Sequence, residues 1–130
     1  MGYTISWNPL RFTEFTYATV IKLLPKIIDP SKIHMNPWGF SIGGDIDNRV
    51  PFVRDGHQTP WDKTGREPYT KDAMKALILM VEFGVTFNLN HDDTDMTWYL
   101  EALEEVHAIH SLVSYEQQKM YFTRLNYESR

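Results

Sequence analysis

The sequence predicts an α+β fold, a two-layer sandwich in which about three helices pack on one face of a small mixed β-sheet. Short β-prone runs interleave along the chain with segments of helical apolar spacing, and some of the runs are joined as hairpins. The 130 residues include 42% hydrophobic and 14% aromatic residues, which suffices for a buried core. We therefore expect a single domain over residues 1–130.

The first two elements follow from their periodicity. Apolar and polar residues alternate over 3–7, which predicts a half-buried strand. Apolar residues then recur at helical spacing over 12–28. Pro25 lies inside that run and has no backbone N–H to donate, so we expect a kink or an early end near Leu24.

The middle of the chain, residues 41–69, is rich in glycine, aspartate, proline and arginine. The runs 39–44 and 49–56 are β-prone and predict an irregular hairpin, with Pro51 confining the second strand to an edge or a bulge. The rest is predicted as a long irregular loop. Connections of such length in a compact domain are usually functional or disordered, so this region is the first place to look for function.

The remaining elements are two helices, a strand and an open segment. A helix from Thr70, as its N-cap, to Phe83 is apolar nearly all round and is predicted to be the central buried one, ended by the glycine that follows it. The segment 85–90 alternates cleanly and predicts a strand with its odd-numbered side chains inward. An apolar stripe over 96–113 predicts another helix, and 115–127 fits either a helix or a final strand.

Composition narrows the class of function. The chain has no cysteine, which removes disulfides, thiolate metal sites and thiol nucleophiles. The net charge of −4 disfavours binding to nucleic acid, because a weakly acidic surface repels phosphate. We see no secretory signal, and the longest apolar run, 77–82, is too short to cross a bilayer. We expect a cytoplasmic protein without a membrane partner.

Two acidic groups are candidate sites for a hard cation such as Mg²⁺ or Ca²⁺. One is formed by Asp92, Asp93 and Asp95, between a predicted strand and a helix, and the other by Asp45 and Asp47. Helix capping explains the first group and a tight turn explains the second, and we prefer these interpretations. No cofactor is therefore predicted unless the two groups meet in space.

Motifs for catalysis are missing from the chain. It has neither a G-x-S-x-G elbow nor a glycine-rich phosphate loop. An H-x-x-H pair at 107–110 lacks the further ligands of a zinc site, and a core histidine is the ordinary explanation. An acid–base pair of His57 with Asp55 or Asp62 is conceivable, although its spacing does not single it out. The sequence leaves enzymatic activity undecided and leans against it.

The central region is also a candidate recognition surface. Its aromatic and arginine side chains are of the types enriched at binding hot spots. The opposite interpretation, in which the tryptophans fold inward beneath their own loop, stays open. The candidate residues are Trp38, Arg49, Phe52, Arg54, His57, Trp61, Arg66 and Tyr69.

These features lead to one main hypothesis of function and to alternatives. The main one is a small non-enzymatic binding protein, of the inhibitor, immunity or accessory type, that recognises a protein partner through residues 38–69. The first alternative is a divalent-metal-dependent enzyme acting on a phosphorylated or nucleotide-like substrate, with the aspartates holding the metal and the arginines the anion. A second is a sponge for a small anionic ligand. Exposed aromatic residues would equally suit a homodimer.

Overall fold

The computed structural model describes residues 4–44, 48–58, 61–64, 68–87, 89–91 and 97–128, with the side chains of residue 63 and of 122–128 left out of the description. These ranges contain four helices and six short strands, with four of the strands in direct succession, so the predicted α+β class is confirmed. The strands are β1 (Thr4–Trp7), β2 (Ile33–Asn36), β3 (Gly39–Gly43), β4 (Arg49–Val53), β5 (Trp61–Lys63) and β6 (Leu89–His91). The helices are α1 (Glu14–Ile27), α2 (Tyr69–Glu82), α3 (Thr97–Ile109) and α4 (Tyr115–Glu128), with a short 3-10 helix at Pro30–Lys32.

The strands form two small sheets, where the sequence analysis expected a single mixed one. One sheet has the order β5-β1-β6 and the other β2-β3-β4, and all pairs in both are antiparallel. Neighbouring strands of the second sheet follow one another along the chain, and hairpin connections produce antiparallel pairs. In the first sheet, β1 lies in the middle and takes its partners from far along the chain.

A side chain from the segment after β4 forms hydrogen bonds with the outer backbone groups of this edge strand. Pro51 lies on this strand, as the sequence predicted for an edge position. The Gln58 side-chain amide donates to the Pro51 carbonyl over 2.8 Å, and its oxygen accepts the Val53 N–H. Because these backbone groups are already bonded, this part of the edge is blocked against pairing with another strand.

Helix α2 supplies the centre of the core, as predicted. Its residues 76–80 are all buried, and Gly84, with φ of 74°, follows its end in a left-handed conformation. The predicted N-cap is wrong: the helix begins at Tyr69 after Pro68, whose side chain makes no capping bond. Thr70 lies inside the first turn, where its side chain is fully buried and its hydroxyl has no partner among the described residues.

Helix α1 passes through Pro25, so the expected early end near Leu24 is wrong. The helix starts from a capping box in which Thr13 and Thr16 bond each other's backbone N–H groups. Pro25 lies in the last turn, where the chain gains Ile27 as a buried residue and closes with an Ile28 N–H bond to the Leu24 carbonyl. This packing outweighs the single backbone bond that proline removes.

Within the strand predicted over 85–90, residues 85–87 are irregular, 89–90 belong to β6, and residue 88 lies outside the described residues. Val85 donates its N–H to the end of α2, and its carbonyl accepts the Arg11 N–H over 2.8 Å, so these backbone groups are not free for a sheet. The expected inward sides are confirmed for Val85 and Leu89, which are buried, but the pattern is wrong at residues 86 and 87. Phe87 is 75% exposed, whereas Thr86 is buried and donates its hydroxyl to the Asn8 carbonyl.

The last two helices, α3 and α4, differ from or complete what the sequence predicted for residues 96–127. Helix α3 is shorter than the predicted 96–113. Its Tyr99, Leu103 and Val106 are buried as expected, whereas Val113 lies beyond it and is 96% exposed. The segment 115–127 is helical and belongs to α4.

Candidate functional site

A cleft of about 410 Å³ opens between the start of α1, the turn that joins β2 to β3, and the end of β4. We call it the Trp38–Arg54 cleft. It brings together three parts of the chain that lie far apart in the sequence. Its lining residues are Phe12, Thr13, Glu14, Pro37, Trp38, Arg54 and Asp55.

Backbone contacts hold the two name-giving residues of the cleft side by side. The Arg54 N–H donates to the Trp38 carbonyl over 2.7 Å. The next residue after Trp38 is Gly39, with φ of 153°, and a Cβ at this position would lie 2.1 Å from the Phe52 carbonyl oxygen. Only glycine permits so close an approach of the turn to β4. The indole of Trp38 is therefore presented, 43% exposed, from a fixed backbone.

The guanidinium of Arg54 lies over an aromatic ring. Its central carbon is 4.3 Å from the centre of the Tyr17 ring, a cation–π geometry. Phe12 meets the same ring edge-on at 5.2 Å. Burial raises the pKa of Tyr17, and the charge of Arg54 opposes that rise, so the ring stays a neutral phenol over the physiological range. These contacts limit the conformations that the Arg54 side chain can adopt.

Charges of both signs line the cleft. Glu14 and Asp55 place two carboxylates beside the single guanidinium of Arg54. Asp55 accepts the His57 backbone N–H over 2.9 Å, and the two side chains approach to 3.7 Å. Both face solvent, where such a pair contributes about 0–1 kcal/mol. An exposed pair of this kind lacks the burial that would single it out as an acid–base dyad.

The structure brings only part of the predicted recognition surface together. Trp38 and Arg54 share the cleft, and His57 adjoins it through Asp55. Trp61 is 49% exposed on β5, in register with Ser6, and does not line the cleft.

The other candidates on that surface have different places. Arg49 and Tyr69 are partly buried outside the cleft, and Arg66 lies outside the described residues. The prediction for Phe52 needs correction, because its side chain is fully buried. It packs against Trp7 and Phe40, with ring centres 5.3 and 5.4 Å away, and so belongs to the core.

The proposed metal ligands cannot be placed. Asp45, Asp47, Asp92, Asp93 and Asp95 all lie outside the described residues. Within the described ranges, no group of three or more histidine and acidic side chains is arranged to hold a metal ion. The metal hypothesis therefore stays a prediction.

The histidines of the H-x-x-H pair make contacts within the fold. His107 accepts the Leu112 N–H at Nδ1 over 2.9 Å and stacks on Tyr115 at 4.1 Å. His110 packs on Phe83, with ring centres 5.9 Å apart. These contacts join the end of α3 to its neighbours, in keeping with the structural interpretation of the pair.

Four residues of the cleft were missed by the sequence analysis, and Asp55 was considered only as an acid–base partner of His57. The four are Phe12, Thr13, Glu14 and Pro37. Thr13 is of a residue type preferred at N-caps and is followed by Glu14 in the first turn, which was a readable signal for a helix start. Helix starts expose polar backbone groups. Nothing in the local sequence indicated that this helix start would face the 37–38 turn.

Comparison of the chain with protein-family models, with curated proteins and with solved structures found no match. Of the helices in the described ranges, none is long and apolar enough to cross a membrane.

Proposed function

We propose that this protein is a small non-enzymatic binding protein that recognises a protein partner through the Trp38–Arg54 cleft. The observation that supports the proposal is the placement of an exposed indole beside an exposed guanidinium in one cleft. Tryptophan and arginine are over-represented among residues that dominate binding energy at interfaces. An inhibitor or accessory role fits a domain of this size.

Rigidity of the cleft supports the same proposal. The Arg54 N–H bond to the Trp38 carbonyl holds the backbone of both residues, and the stacking of Arg54 on Tyr17 orders the Arg54 side chain before any partner arrives. Immobilising a flexible side chain on binding costs about 0.5–1.5 kcal/mol. Because the free protein already restricts the Arg54 side chain, less conformational entropy is lost on binding, and the affinity for a partner is higher.

A sponge for a small anionic ligand is less well supported. An anion drawn to Arg54 would also meet the carboxylates of Glu14 and Asp55 in the same cleft. Like charges at this range repel, and the guanidinium is already partly engaged by Tyr17. A protein partner can instead place groups of both signs against the mixed lining.

The proposal is tested by immobilising this protein and its variants and measuring how much of a partner protein each one retains. Trp38→Ala and Arg54→Ala should each weaken retention, with a loss of about 2 kcal/mol or more if these residues are hot spots, which is about 30-fold in affinity. Trp61→Ala is the matched control, because this indole is similarly exposed but lies outside the cleft. Each variant should keep the melting temperature of the wild type, which separates lost binding from unfolding.

The proposal fails if a partner retained by the wild type is retained equally by Trp38→Ala and Arg54→Ala. It also fails if Trp61→Ala is the variant that releases the partner, since the interface would then lie on the β5 side of the molecule.

A further inference from the structure

We infer that the segment of the partner held in the Trp38–Arg54 cleft is proline-rich, extended as a polyproline II helix, and flanked by a basic residue. This inference rests on the proposed function and names the chemistry of the partner. It is drawn from the apolar walls of the cleft, from its hydrogen-bond donors, from its carboxylates and from the blocked strand edge beside it.

The apolar walls match proline rings. Phe12, Pro37 and Trp38 supply two aromatic rings and a pyrrolidine to the lining. Proline-rich segments dock into aromatic-lined grooves, where their rings pack on flat side chains. The segment is already extended before binding, so it loses little conformational entropy.

The donors in the cleft match the backbone of such a segment. A polyproline II helix has no internal hydrogen bonds, so its carbonyls need donors, and its prolines offer no N–H in return. The half-exposed Trp38 carries an indole N–H, and the exposed Arg54 carries guanidinium N–H groups. Both side chains donate and neither accepts a hydrogen bond, which suits a ligand backbone made of acceptors.

The carboxylates select the flanking residue. Glu14 and Asp55 both belong to the lining, Glu14 at the start of α1 and Asp55 just after the end of β4. A lysine or arginine next to the proline run would pair with them, whereas an acidic flank would be repelled. Charge complementarity therefore favours a basic flank.

A partner strand added to the sheet is the competing mode of binding, and the structure disfavours it at this site. The cleft adjoins the end of β4, where Gln58 already bonds the Pro51 carbonyl and the Val53 N–H. Strand addition needs these backbone groups to be free. A segment without N–H groups, bound through its rings and carbonyls, has no such requirement.

Titration of the ¹⁵N-labelled protein with a synthetic peptide tests the inference. The probe is a blocked peptide of seven prolines followed by two arginines, and the signals to follow are the Trp38 indole and the amides of Gly39 and Arg54. We expect saturable shifts at these signals. Trp38→Ala should weaken binding at least about tenfold, the factor that corresponds to 1.4 kcal/mol, while Trp61→Ala should leave it unchanged.

Two control peptides determine what is recognised. One replaces the prolines with alternating glycine and serine and keeps the arginines, and the other keeps the prolines and ends in two glutamates. Both should bind more weakly than the probe. If the glycine–serine peptide bound as tightly as the probe, the cleft would recognise only the arginine charges. If the glutamate peptide bound more tightly than the probe, the cleft would prefer an acidic flank to a basic one. Either result overturns the inference.

Failure of the inference and failure of the proposed function give different results. If the proline peptide causes no shifts, the inference is wrong. The proposed function still stands if Trp38→Ala releases a retained partner. If the partner is retained by that variant, the function proposed for the cleft is wrong as well.

Discussion

At the scale of single residues, two aromatic side chains of the same region have opposite roles. Phe52 and Trp38 are both of residue types enriched at binding interfaces, yet Phe52 is buried and Trp38 is exposed. Strand register explains the difference, because Phe52 pairs with Phe40 on the inner face of its sheet. The alternating burial along β4, with Val50 and Phe52 inward, was readable in the sequence as an apolar period of two. The exposure of Trp38 was not readable, since it depends on the turn.

Gln118 is a buried polar residue that no local pattern in the sequence singles out. Its amide nitrogen donates to the Ile78 carbonyl over 3.2 Å and to the Ser114 hydroxyl over 2.8 Å, and its oxygen accepts the Tyr99 hydroxyl over 3.1 Å. The side chain therefore joins α4 to both α2 and α3. Networks of this kind form between residues far apart in the chain, so local periodicity cannot reveal them.

Gln118→Ala should destabilise the protein by about 1–3 kcal/mol, because it removes the hydrogen bonds by which this buried side chain joins α4 to α2 and α3. Urea-induced unfolding, followed by circular dichroism, measures this loss. Gln117→Ala is the control: the residue is exposed and should change stability by less than about 0.5 kcal/mol. Equal small effects of both variants would show that the network does not hold α4 in place.

At the scale of elements, periodicity located the helices and strands that have a clear apolar face. It identified β1, α1, the hairpin of β3 and β4, and α2. It missed β2 and β5, which have four and three residues and acquire strand geometry from the neighbours with which they pair. It was misled over 85–90, where hydrogen bonds to α2 and to the 8–11 segment override the local alternation.

Helices α2 and α3 are linked by a surface ion-pair network. Lys71 contacts Glu101 at 3.1 Å and Glu105 at 2.8 Å, and Lys75 contacts Glu105 at 3.5 Å. Burial alone would raise the pKa of Glu105, but the hydrogen bond and charge of Lys71, together with Lys75, outweigh it and hold that pKa below its ordinary value. A carboxyl group whose pKa is lower in the folded than in the unfolded state raises the free energy of unfolding. This contribution is fully present above the unfolded-state pKa and is lost as the pH falls through the folded-state pKa.

Glu105→Gln should therefore reduce stability at neutral pH, by up to about 1 kcal/mol for a pair this exposed, and the difference from wild type should vanish in acid. Urea unfolding at pH 7, and again at a pH below the lowered pKa of Glu105 in the folded state, measures the difference. Burial, and to a smaller extent the charge of Glu105, raise the pKa of Asp72, so the measured difference is the lost ion pairs of Glu105 less this small repulsion. A difference that persists unchanged at low pH would assign the effect to packing.

At the scale of the whole molecule, the cleft arises from the convergence of three segments. Residues 12–14, 37–38 and 54–55 belong to a helix start, a turn and a strand end. The sequence analysis pointed to the region 38–69 from its residue types, and two cleft residues, Trp38 and Arg54, came from that prediction. The remaining lining could not be predicted, because its proximity depends on how α1 packs against the β2-β3-β4 sheet.

The convergence also distinguishes the two exposed tryptophans. Trp38 lies on the turn between β2 and β3, whereas Trp61 lies on β5 in the other sheet. Residue type and exposure are alike at the two positions, so they differ chiefly in their surroundings. The central claim, that a partner binds at the Trp38–Arg54 cleft, can therefore be tested by comparing these positions directly.

Site-specific photo-crosslinking makes that comparison in one measurement. A benzophenone amino acid replaces the exposed His57, beside the cleft, in three proteins that are otherwise wild type, Trp38→Ala or Trp61→Ala. All three are irradiated in the same cell extract. If the cleft binds the partner, the first and third proteins form a discrete adduct, reduced by an excess of unlabelled wild-type protein, and the Trp38→Ala protein forms little of it. An adduct that is lost with Trp61→Ala alone, or that forms equally in all three proteins, would contradict this.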